Sequence, residues 1–169
     1  MRMGTTALVS LAEYLNTSYE PDCDYVDGEL EDRNVGERDH SRLQTALSAY
    51  LYVNRKRWGV SVFVEQRVRV SATRYRVPDI CVTLSAPEEQ VFTNPPFLCV
   101  EVLSLEDRFS RIERKIAAYL KFSVSYVWVI DPRTLEAFIY TSNGMREAED
   151  VILRTRDPGI EIPLPGLPD

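Results

Sequence analysis

Two acids in this sequence stand where acids are costly. Asp79 opens the run Ile80-Cys81-Val82-Thr83-Leu84 directly after Pro78, and Glu101 interrupts Phe97–Leu103, which is otherwise wholly apolar. Both runs read as strands in a core. A carboxylate there has to be paired, protonated or bound to a metal ion. Neighbouring strands would bring the two acids together, and close carboxylates repel unless a cation lies between them. Hard oxygen ligands of this kind suit magnesium or manganese better than zinc. The plainer explanation for either acid alone is a structural ion pair with an arginine.

Lys115 shifts the balance toward chemistry. A helix is expected over 106–121, with Ser104 as its N-cap and Phe109, Ile112, Ile116, Ala117 and Leu120 turned inward. Arg108, Arg111, Lys115 and Tyr119 share one side of it at i, i+3 and i+4 spacing. The Lys115 stem can lie on the core while its ammonium reaches the carboxylates. There it could stabilise a pentavalent phosphate or position an attacking water. Glu29 and His40 are secondary candidates: Glu29 could add a ligand or be a hairpin surface acid, and His40 could touch phosphate or cap its helix. Glu65 shares a strand face with Arg67 and Arg69, and a same-face ion pair accounts for it. No G-x-S-x-G surrounds Ser104, and no glycine-rich phosphate loop is present.

The elements that must position these residues follow from periodicity. Apolar residues at 7, 8, 11, 12 and 15 predict a helix over Thr5–Leu15 with Thr5 and Thr6 as cap candidates, and Asp24–Leu30 reads as a strand or hairpin around Gly28. Leu43, Ala46, Leu47, Tyr50 and Leu51 mark a helix from Arg38 to Arg57, closed by Arg55-Lys56-Arg57 and Gly59. Val60–Val70 alternates as one long half-exposed strand, with even-numbered residues on one face. Strands over 79–84, 97–103 and 125–130 follow, then a hairpin from Leu135 through Asn143-Gly144. The loops 71–77 and 85–96 are the natural places for specificity. The tail 157–169, with four prolines and two glycines, reads as an extended strap. A crossover helix between strands 97–103 and 125–130 implies a parallel or mixed sheet covered on both faces.

The 169 residues amount to about one domain, and 44% hydrophobic residues suffice for a core. Three scattered cysteines without a CxxC pair argue against a disulfide framework or zinc knuckle and point to a reducing compartment. No apolar stretch is long enough for a membrane span, and the N-terminus reads as the start of the fold, so a cytoplasmic location is expected. The net charge of −6 is unevenly spread: residues 40–121 carry 13 Lys/Arg against 8 Asp/Glu, the remainder 7 against 18. A basic middle permits a phosphate-binding surface, although such a run can equally be a solvated face.

The arrangement Pro78-Asp79, Glu101-Val102-Leu103-Ser104 and Lys115 with Tyr119 resembles the PD-(D/E)XK superfamily of restriction-endonuclease-like proteins. More narrowly it resembles a large, mostly uncharacterised bacterial branch named as restriction endonucleases. Further matching segments are Tyr25–Leu30, His40 heading its helix, Tyr126–Pro132 and Leu164-Pro165-Gly166-Leu167. The resemblance implies an α/β fold with an α-β-β-β-α-β core, a mixed central sheet and an added C-terminal β-hairpin. It implies one nuclease-like domain over 1–169: N-terminal helix and hairpin 1–36, core 37–131, β extension and Pro-rich strap 132–169. One departure stands out, since the superfamily's lysine position two residues after the second acid is Leu103. In this branch the lysine moves to the following helix, where Lys115 matches.

The implied activity is metal-dependent hydrolysis of phosphodiester bonds, in DNA, with Asp79, Glu101 and Lys115 catalytic. Magnesium or manganese would be held by Asp79, Glu101 and the backbone carbonyl of Val102. Arg108 and Arg111 are the expected phosphate contacts, and a homodimer would suit a two-strand cutter. The alternative is a non-cleaving nuclease-fold module that binds nucleic acid or a protein partner, motivated by the acidic total charge and displaced lysine. A scaffold or dimerisation domain is the third reading.

Overall fold

The computed structural model describes residues 7–33 and 36–167. A short α1 (Leu11–Leu15) precedes the hairpin of β1 (Cys23–Val26) and β2 (Glu29–Asp32). The long α2 (Arg38–Trp58) leads into β3 (Ser61–Val64), a hairpin of β4 (Val68–Ser71) and β5 (Arg74–Arg76), then β6 (Ile80–Thr83) and β7 (Leu98–Val102). Next, α3 (Phe109–Lys121) crosses to β8 (Tyr126–Ile130). After it come β9 (Ala137–Thr141), β10 (Gly144–Glu147), β11 (Ile152–Arg154) and β12 (Glu161–Pro163). A six-stranded sheet runs in the order β10-β9-β8-β7-β6-β3, a four-stranded sheet in the order β2-β1-β5-β4, and β11-β12 form a ribbon. Within the six-stranded sheet, β7 and β8 are parallel and the other neighbours antiparallel. The α2-β3-β6-β7-α3-β8 path is the expected core order around a mixed sheet.

Strand alternation assigns each side chain to one of two cores. Leu98, Val100 and Val102 of β7 and Trp128 and Ile130 of β8 face α2, meeting its Leu43-Leu47-Leu51 stripe. Cys99 of β7 and Val127 and Val129 of β8 face the other way, toward Ile112, Ile116 and Tyr119 of α3 and Val68 and Val70 of β4. Fully burying a large aliphatic side chain is worth about 1.5–3 kcal/mol, so these two stripes fix how both helices lie. The end of α2 is set by Gly59 at φ 67, the left-handed C-cap conformation that a residue without Cβ adopts readily.

The structure departs from the sequence expectations at five places. The alternating run 60–70 is two strands in different sheets, because Glu65 turns left-handed at φ 50 and sends the chain away from β6. Val62 then packs with the α2-side core and Phe63 with the α3-side core, both only half-buried, and Val64 is 53% exposed, so β3 keeps the half-exposed character expected of the longer run. The expected loop 71–77 holds β5, paired with both β1 and β4. Helix α1 starts at Leu11, where the Ser10 hydroxyl accepts from Glu13 N, while Thr5 and Thr6 lie outside the described residues. Helix α3 starts at Phe109, which is 75% exposed rather than inward. Its expected cap, Ser104, instead bonds to the Asp107 carboxylate in the preceding turn. Finally, the Pro-rich strap contains β12 and completes the α2-side core with Ile160, Ile162 and Leu164.

Candidate active site

Asp79 and Glu101 meet because of strand register. β6 and β7 pair Ile80 with Val100 and Cys81 with Cys99, and continuing one step sets Asp79 opposite Glu101. Both acids share parity with Cys81 and Cys99, which belong to the α3-side core, so they face α3. The β6 entrance is pinned from the far side of the sheet by α2, whose Gln44 Nε2 donates to the Asp79 carbonyl at 3.1 Å.

Asp79 is 3% exposed, and both its carboxylate oxygens have partners. Its Oδ2 accepts from Val102 N at 2.7 Å and lies 3.4 Å from His40 Nε2, while Oδ1 is ion-paired with Arg33. Arg33 also reaches Glu65 at 3.6 Å, so Glu65 pairs with Arg33 rather than with Arg67 or Arg69 on its own strand face. Burial alone would push the Asp79 carboxyl up. The His40 hydrogen bond and the Arg33 and Lys115 charges outweigh it and hold Asp79 below the ordinary carboxylate range. His40 is raised in turn, chiefly by that hydrogen bond.

Glu101, also 3% exposed, accepts from Lys115 Nζ at 2.9 Å on Oε2 and from the Tyr119 hydroxyl at 2.7 Å on Oε1. Burial pushes it above the ordinary carboxylate range against the pull of Lys115, with Asp79 and Asp24 adding to the rise. The two opposed carboxylates are thus driven apart, one kept as an anion and the other more basic. Lys115 is 5% exposed. Burial would favour its neutral amine, but Asp24, Glu101 and Asp79 together raise it and keep an ammonium in the site.

Three of the surrounding charges carried no expectation from sequence. Asp24 of β1 is wholly buried, with Oδ1 accepting from Val77 N at 2.9 Å and Oδ2 from Arg76 Nη1 at 3.1 Å. The same Oδ2 lies 3.7 Å from Lys115 Nζ, and Arg76 also pairs with Glu31 at 2.7 Å. Asp24 could have been found by the test applied to Asp79, since it interrupts Cys23–Val26. Arg33 and Arg76 had no comparable signal, sitting in polar stretches.

The other expected residues divide. His40, Asp79, Glu101, Val102, Arg111 and Lys115 all line one cleft of about 30 Å³, together with the unexpected Arg33 and with Ser104 and Asp107. Arg111 bonds to the Asp32 carbonyl at that rim. Tyr119 lies behind Glu101, wholly buried. Arg108 is exposed at the N-cap of α3 and Glu29 is exposed on β2 opposite Val26; neither lines the cleft.

The donor set suits a small hard cation. Asp79 and Glu101 supply oxygens with lone pairs to spare, for each Glu101 oxygen accepts a single hydrogen bond. Among the described residues no group of three His, Cys, Asp or Glu side chains could cage an ion. Magnesium does not need such a cage, since it commonly takes one or two carboxylates and fills the rest with water and substrate phosphate. The cleft has space for roughly two water-sized species.

A mixed sheet with opposed acids at the ends of two neighbouring strands and a lysine reaching them from the crossover helix defines a restriction-endonuclease-like protein. The chain belongs to the Uma2 family, described as "Putative restriction endonuclease", whose family model matches residues 11–168. Among solved structures it resembles a putative nuclease of the DUF820 group from Anabaena variabilis ATCC 29413. The two share 22% sequence identity and a TM-score of 0.76, over 87% of this chain and 89% of that one. No curated protein matches the chain. Among the described residues no helix is long and apolar enough to cross a membrane.

Proposed function

We propose that this chain is a magnesium- or manganese-dependent endonuclease that hydrolyses phosphodiester bonds in DNA, with Asp79 and Glu101 holding the metal and Lys115 acting beside it. The observation that carries the reading is the opposition of Asp79 and Glu101 across β6 and β7, with the Lys115 ammonium 2.9 Å from Glu101. The family description supports the choice of DNA.

A bound divalent ion would polarise the scissile phosphate and make hydroxide available near neutral pH. Asp79, Glu101 and the Val102 carbonyl are the groups that would hold it. The chain's own contribution is positional. Lys115 neutralises negative charge developing on the phosphate and orients the attacking water. Tyr119 fixes the Glu101 carboxylate through its hydroxyl, and Val102 N fixes that of Asp79. Arg111 at the rim, and Arg108 one turn earlier on the helix, meet flanking phosphates. The buried sides of the cleft keep these charges in a low dielectric, where they act more strongly than in water.

A non-cleaving module remains the second reading because both acids already pair with protein cations, Asp79 with Arg33 and Glu101 with Lys115. Calorimetric titration of magnesium and manganese into wild type and Asp79→Asn, followed by plasmid incubation with each metal, separates the two. Binding lost in the variant together with metal-dependent nicking by wild type is the expected result. An absence of both binding and nicking in wild type moves the assignment to the non-cleaving module.

A further inference from the structure

The superfamily lysine sits on the same strand as its acid, where the backbone holds it. Here the ammonium arrives from α3 on a four-carbon stem, and something else must hold its tip in place. Glu101 Oε2 takes one of its three donors at 2.9 Å. Among the described residues the other carboxylate within 4.0 Å of Nζ is Asp24, whose Oδ2 lies at 3.7 Å and which comes from β1 of the four-stranded sheet.

We propose that Asp24 is a positioning residue, whose fixed charge restrains the Lys115 ammonium at its place beside Glu101. This inference rests on the nuclease reading for its catalytic consequence, though not for its geometry.

Asp24 is built to stay still. It is 0% exposed, its Oδ1 is fixed by Val77 N at 2.9 Å, and its Oδ2 by Arg76 Nη1 at 3.1 Å. Arg76 is itself 3% exposed and shared with Glu31, so the Asp24 charge is only partly spent on Arg76. What remains attracts Lys115 without capturing it. At 3.7 Å the contact to Asp24 is an ion pair outside hydrogen-bond range, whereas 2.9 Å to Glu101 is a full hydrogen bond. The ammonium is therefore drawn toward two fixed anions but bonded to the catalytic one. An asparagine at position 24 would keep the Val77 contact and lose the pull.

A purely structural Asp24–Arg76 pair predicts different behaviour, and the test reads both. In ¹⁵N-lysine-labelled protein, Lys115 should give a slowly exchanging ammonium resonance, assigned by its loss in Lys115→Met. Asp24→Asn should abolish or shift that resonance. On plasmid substrate Asp24→Asn should lower kcat at least tenfold with KM within about twofold. Asp24→Asn/Lys115→Met should cleave no more slowly than Lys115→Met alone. Should Asp24→Asn not fold, Asp24→Asn/Arg76→Met removes both buried charges together, a replacement that proteins often tolerate, and should show the same resonance loss. An unchanged resonance in the variant, no protected resonance in wild type, or multiplicative losses in the double variant would each overturn the inference. A wild type that never nicks DNA, but whose resonance responds as expected, sinks the nuclease reading and leaves the positioning role standing. A wild type that nicks with Asp24→Asn at full kcat sinks the positioning role alone.

Discussion

Neutralising an acid in a cluster of acids usually relieves repulsion, which on its own would make Asp79→Asn stabilising in the metal-free protein. The structure predicts the opposite. The Asp79 side chain is 4% exposed and ion-paired with Arg33, whose side chain is 11% exposed. Removing one partner of a buried pair strands the other charge, at about 3–5 kcal/mol. Two features hold the loss to the lower end. An asparagine oxygen can still accept from Val102 N, and Arg33 keeps its 3.6 Å contact with Glu65. A loss of about 3 kcal/mol follows. With a urea slope of about 2 kcal/mol/M, the midpoint should fall by roughly 1.5 M. The assay is urea unfolding of metal-free wild type and variant, followed by circular dichroism with EDTA present. A midpoint that stays or rises would mean that repulsion between Asp79 and Glu101 outweighs the pairing with Arg33. The charge-balanced picture of the site would then be wrong.

Two further predictions concern the fold around the site. Leu47 of α2 is 0% exposed and Val53 is 75% exposed, so Leu47→Ala should cost about 2–5 kcal/mol while Val53→Ala leaves the urea midpoint unchanged; equal effects would misplace the helix face. The Cys23 thiol is pushed up from 9.0 to about 11, first by burial and then by its bond to Asp32. The folded state therefore keeps this proton longer than the unfolded state does. The stability it brings is whole below pH 9.0 and lost as pH rises toward 11. Urea midpoints should drop across that window, less steeply for Cys23→Ala, and an identical slope in the variant would remove Cys23 from the account.

How far the site was legible in sequence follows from where its charges sit. Asp79 stood out because it opens an apolar run and Glu101 because it breaks one, and Lys115 because its neighbours Ile112 and Ile116 place it on the core side of α3. Tyr119 followed from the same spacing. Asp24 also opened a stretch read as a strand, but Asp27 and Glu29 in that stretch made one more acid unremarkable, where the residues after Asp79 are almost all apolar. Arg33 and Arg76 sit among polar residues, and only the three-dimensional packing of one sheet against another buries them. The false long strand has a related cause. Alternation records which side a side chain takes but not where the backbone turns, so Glu65 at φ 50 left the pattern intact while moving β4 into another sheet.

The four-stranded sheet then has a reason to be where it is. Moving the lysine from strand to helix frees its tip, and a buried ammonium near two acids needs enough opposing charge to stay ionised and enough constraint to stay in place. β1 supplies Asp24, β5 supplies Arg76 to hold Asp24, and the residue after β2, Arg33, balances Asp79. Acids Asp24, Glu31, Asp79 and Glu101 thus alternate with Arg33, Arg76 and Lys115, so each buried charge has a partner before any ion arrives. Under the proposed function, a divalent ion entering this arrangement would have to compete with Arg33 for Asp79. If the proposed function holds, metal affinity would accordingly be set as much by the second sheet as by the two strands that carry the acids.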